Sequence, residues 1–149
     1  MSLWIFLPLL IGCSAYALLL GGAPERVAAG LQVAAYVTDD LVHRLVDGRG
    51  YALPAFGSIA IDALLLASLI VLAWRATRFW PLWVAGWQAA AIAGHASRLA
   101  EPGMVPAGYA IQTQIWAYPM LLAMAFGTWR HRSRCAKTNP DVPWKPRMI

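Results

Sequence analysis

The residues in this chain that could do chemistry are few, and most are acids, histidines and amides set inside apolar stretches. Asp39 and His43 are four residues apart, as are Asp40 and Arg44, so each pair can meet on one face of a helix. Asp62 is the only charged residue in a long apolar run, while His95 and Arg98 close another. Gln112 and Gln114 fall early in a third. Histidine changes charge near neutral pH, so with a nearby carboxylate it can hold or pass a proton. Imidazole and carboxylate are also competent metal ligands. Three kinds of chemistry are therefore open. One is a proton or small-ligand site on Asp62, His95 and Arg98. Another is a metal or haem site through His43 and His95, although two histidines on separate segments make a sparse ligand set. The third is plain hydrogen bonding that holds helices together, and it weighs most.

Several familiar chemistries have no residues to support them. Gly21-Gly22 is not followed by the Lys-Ser/Thr of a phosphate loop, and there is no GxSxG or HExxH. Cys13 sits in an apolar run and Cys135 in a basic one, so neither a disulfide nor a cysteine metal motif is expected. No metal site is assigned. His131 lies among Arg130, Arg132 and Arg134 and reads as part of a basic flank.

The elements that position these residues follow from composition. Of 149 residues, 60% are hydrophobic and 13% charged. A soluble domain of this length could not hide so much apolar surface, whereas a lipid bilayer lets it face outward. The net charge of +5 could suggest nucleic acid. However, Arg130, Arg132, Arg134, Lys137, Lys145 and Arg147 supply half of the 12 basic residues and follow an apolar segment. Such placement fits membrane topology or anionic headgroups, and no nucleic-acid partner is expected. Leu10-Ile11-Gly12-Cys13 looks like a lipoprotein processing box, but no Lys or Arg precedes the apolar run. An uncleaved first helix is expected.

Membrane crossing asks for roughly 20 mostly apolar residues per helix. Five stretches qualify: Leu3 to Leu20, Val27 to Val46, Ala55 to Trp74, Trp80 to Arg98, and Ala107 to Trp129 with Pro119 inside and a kink there. Strands are disfavoured, because these runs are long and do not alternate. The second stretch carries charge in its later half; should it lie on the membrane surface, the bundle has four spanning helices. Residues 1–132 form the bundle and residues 133–149 a basic, proline-rich tail, in which Trp144 could serve as an interfacial anchor.

Arg75, Arg78 and the tail belong on the cytoplasmic side under the positive-inside rule, which puts the N-terminus outside. In that orientation Asp39, Asp40, His43, Asp62, His95, Gln112 and Gln114 share the outer layer of the bundle. Polar groups at that depth are costly unless paired, so Asp62 is expected to meet His95 or Arg98. On the fourth helix, Gly86, Ala90 and Gly94 repeat every four residues beside Ala85, Ala89, Ala93 and Ser97. Small residues let helices approach closely in lipid, either within the chain or against a second subunit or copy.

The run Arg78-Phe79-Trp80-Pro81-Leu82-Trp83, then His95, then Trp116-Ala117-Tyr118-Pro119, resembles a pattern in small multi-pass inner-membrane proteins of bacteria. The resemblance covers roughly Asp62 to Arg132 and implies location, not activity. The expected protein is an all-α membrane bundle in a bacterial inner membrane with its C-terminus in the cytoplasm. Its expected role is that of a non-catalytic accessory or scaffold subunit. The competing role is a small transporter or redox component with its site in the outer half of the bundle.

Overall fold

Apolar stretches rich in Ala and Leu fold as helices here, and the first of them ends at Gly21-Gly22. The computed structural model describes residues 3–46, 52–100 and 115–137, together with Trp144. Its helices are α1 (Leu3–Leu20), α2 (Ala23–Val46), α3 (Ala52–Arg75), α4 (Trp80–Ala100) and α5 (Ala117–Cys135). Each packs on its neighbours in sequence, and α5 returns to α1, so the five close into a ring. Helix α2 also reaches across to α5. Among the described residues there is no strand, only an isolated bridge between Ala76 and Trp144.

The turn between α1 and α2 shows how tightly the ring is drawn. Gly21 N–H donates to the Ala17 carbonyl at 2.9 Å, and Arg26 Nε donates to the Gly21 carbonyl at 3.0 Å. A side chain at Gly21 would collide with the Ala17 carbonyl oxygen and with Glu25 Cβ, so only glycine fits. Helix α2 starts at Ala23, not at Val27. Pro24 costs little in a first turn, and Glu25 favours a helix N-terminus by its charge. Because α2 packs between α1 and α3, it is a member of the five-helix bundle.

Helix α5 departs further from expectation. It runs on through the basic residues to Cys135, and Pro119 lies in its first turn. Residues 107–114, expected to open this helix, lie outside the described residues.

The core is lined by small and aliphatic side chains, among them Ala17, Ala28, Ala29, Leu69, Leu72, Val84, Leu121 and Met124. Alongside them Glu25, Gln32, Gln88, His95 and Thr128 are buried. Large apolar side chains project from every helix instead, including Trp4, Leu64, Trp74, Leu82 and Phe126. Glu25 is 0% exposed while Leu64 is 70% and Trp74 76% exposed, a reversal of the usual order. Among the described residues one helix, over Phe56–Arg75, could by length and composition cross a membrane, and only 11% of its most apolar stretch is buried. Trp4–Leu20 is a shorter apolar helix.

The two ends of the ring differ in charge. At one end Gly22 lies against the His131 ring and Trp80 against Gly127, bringing together both short turns and the end of α5. Arg26, Arg75, Arg78, Arg130, Arg132 and Arg134 belong to these segments. The opposite end holds the C-terminal part of α2, with Asp39 and Asp40, and the start of α3.

Candidate functional site

Helix α3 carries Ser58 and Asp62 one turn apart, so both project from one face. Ser58 Oγ donates to Asp39 Oδ1 of α2 at 2.6 Å. One turn further, Asp62 reaches α4 on the other side. Gln88 Nε2 donates to Asp62 Oδ1 at 2.9 Å and lies 3.3 Å from the Asp62 carbonyl oxygen. His95 Nε2 donates to Asp62 Oδ2 at 2.9 Å. Gln88 and His95 are two turns apart, which is why one carboxyl group can take both. The His95 side chain is 7% exposed and that of Asp62 is 28% exposed. A polar seam thus runs from α2 through α3 to α4, and each oxygen of Asp62 accepts a bond.

The helical pairs on α2 are also present, but they are superficial. His43 Nδ1 donates to the Asp39 carbonyl at 2.8 Å and lies 3.5 Å from Asp39 Oδ2. Arg44 Nε donates to Asp40 Oδ2 at 2.7 Å. Both pairs are exposed, where ion pairs contribute little. His43 belongs with Asp39, and His95 with Asp62. Among the described residues no three His, Cys, Asp or Glu side chains come together as a metal would require. The side chain of Arg98, with Gln112 and Gln114, lies outside the described residues.

On α4 the row Gly86, Ala90, Gly94 is not a single face. Gly86 is exposed, Ala90 half-buried and Gly94 buried. Steps of four residues drift by about 40° each around an α-helix, which turns such a row from outside to inside over two steps. The outward strip is Gly86, Ala89 and Ala93, with Leu82 one turn before it. A Cβ added at Gly86 would meet nothing within 4 Å. Val84, Ala85, Gln88, Ala91 and His95 face inward instead.

A second polar group escaped the sequence reading altogether. Glu25 is fully buried at the start of α2. Trp80 Nε1 donates to its Oε1 at 3.1 Å, while Oε2 has no hydrogen-bond partner among the described residues. That oxygen and the His131 ring flank Gly22 together, at 3.0 and 2.9 Å from where a Cβ would stand. The positive end of α2 compensates the buried carboxyl group in part. Gly127 makes room for the Trp80 indole, whose atoms would come within 2.7–2.9 Å of a side chain there. The available signal was the spacing of Gly127 and His131, which places a gap and a ring on one face of α5.

No family model, curated protein or solved structure matches the chain.

Proposed function

We propose that this chain is a multi-pass protein of a bacterial inner membrane, with its C-terminus in the cytoplasm, and that it serves there as a non-catalytic accessory or scaffold subunit. The exterior supports the membrane placement: large apolar side chains stand outside, while Glu25, Gln32, Gln88 and His95 are buried. A bilayer covers the former at no cost, whereas water would not. The basic end lies where the positive-inside rule puts cytoplasm. The bacterial assignment follows from the sequence resemblance around Trp80 and Tyr118.

The observation that carries the accessory role is the open strip of Gly86, Ala89 and Ala93 on α4. In lipid, apolar contact alone does not draw helices together, while a smooth surface allows backbone-to-backbone approach. The polar seam fits the same role, since both oxygens of Asp62 are already bonded within the chain. We expect the wild-type chain to be cross-linked in membranes to a partner subunit or to a second copy, and Gly86→Leu to lose the adduct. Gly86→Leu should keep wild-type helicity and thermal unfolding, because nothing lies within 4 Å of that position. A wild-type chain that is monomeric in membranes, or a Gly86→Leu variant that assembles normally, contradicts the role.

A further inference from the structure

A groove of about 470 Å³ runs between α2 and α3 at the basic end, lined by Val27, Leu31, Ala67, Val71 and Leu72. Its walls are almost wholly apolar, Ser68 being an exception, and its volume is of the order of known ligand pockets, roughly 300–1,000 Å³. Two features at its mouth are not apolar in the same way. Arg75 is exposed and has no hydrogen-bond or ion-pair partner among the described residues. Trp144 of the tail also lines the groove and bridges to Ala76, next in sequence to that arginine.

We infer that this groove binds one anionic phospholipid, with an acyl chain along Val27, Leu31, Ala67 and Val71 and the headgroup phosphate on the Arg75 guanidinium. With the membrane placement proposed above as its basis, the groove opens sideways to lipid in the cytoplasmic leaflet. A guanidinium fork matches phosphate oxygens in charge and geometry, and Arg75 has none of its donors engaged elsewhere in the described chain. The Trp144 indole lines the groove beside Arg75, where an interfacial aromatic would cover the acyl chain below the headgroup. Arg75, the cation among the described lining residues, favours a phosphate that is joined to a hydrocarbon tail and carries net negative charge. Soluble phosphate lacks the tail, and in phosphatidylcholine the ammonium offsets the attraction of the same phosphate.

The test uses the full chain, delipidated in detergent and titrated with phosphatidylglycerol or phosphatidylcholine under native mass spectrometry. Wild type should retain phosphatidylglycerol preferentially, and Arg75→Ala should bind it about fivefold more weakly, the effect of one basic residue on an anionic lipid. Ala67→Trp, which fills the groove from an exposed position, should weaken both lipids. Arg132→Ala, an exposed basic change elsewhere, should leave binding as in wild type. Equal retention of the two lipids, or equal loss in Arg132→Ala and Arg75→Ala, overturns the site. Alkaline carbonate extraction of membranes separates the two proposals. A chain left in the pellet but indifferent to headgroup charge removes only the lipid site, and a chain released to the supernatant removes the membrane placement with it.

Discussion

At Asp62 helix α4 is tied to α3 at two points through one carboxyl group, since Gln88 and His95 bond its two oxygens. Both partners are buried, so removing the carboxyl group takes from each a bond that water does not replace, although Gln88 Nε2 keeps the Asp62 carbonyl at 3.3 Å. Each such loss costs about 1–3 kcal/mol. Asp62→Ala should therefore lower the unfolding midpoint in detergent, followed by circular dichroism, whereas Asp62→Asn keeps an acceptor and should lose less. Asp40→Ala, which breaks an exposed pair with Arg44, should leave the midpoint unchanged. If Asp62→Ala unfolds like wild type, the seam does not hold the bundle, and a ligand role for Asp62 and His95 gains ground. The Asp62–His95 contact could be foreseen because an acid and a histidine at one depth have few other partners. Gln88 and Ser58 could not, since a single amide or hydroxyl in an apolar run carries no direction.

Among the helices, α4 and α5 depend on a missing side chain. Any Cβ at Gly127 meets Trp80 Nε1 and ring carbons at 2.7–2.9 Å, and an indole is too large to step aside cheaply. Gly127→Ala should destabilise by about 1–3 kcal/mol, as overpacking does, and should disturb the Trp80 bond to Glu25. Its signature is a lower midpoint with altered tryptophan fluorescence. Gly30→Ala on α2 is the control: nothing lies within 4 Å, so it should stabilise by about 0.5–1 kcal/mol through helix propensity. Most helix boundaries follow from apolar run length, and α1, α3 and α4 fall close to where hydropathy puts them. The end of α5 does not, because hydropathy stops at Arg130 while backbone hydrogen bonding continues to Cys135. The Glu25 group was hidden for another reason. Its contacts join α2, α4 and α5, and no local pattern records a meeting of three distant segments.

For the molecule as a whole, the outward face decides what surroundings it needs. Trp4, Leu19, Leu64, Trp74 and Trp129 would each lie in water if the ring were soluble, while Glu25 would be buried for no gain. The arginines of the two short turns and of α5 gather at one end, with Asp39 and Asp40 at the other. The measurement that bears most directly on this arrangement is labelling by a membrane-impermeant maleimide in intact spheroplasts and in inverted vesicles. Cys135 is exposed at the basic end, Cys13 is buried and can be replaced by Ala, and His43→Cys puts a thiol at the acidic end. We predict that Cys135 reacts only in inverted vesicles and the thiol at position 43 only in spheroplasts. Labelling of both positions from the same side would contradict a five-helix ring spanning the membrane.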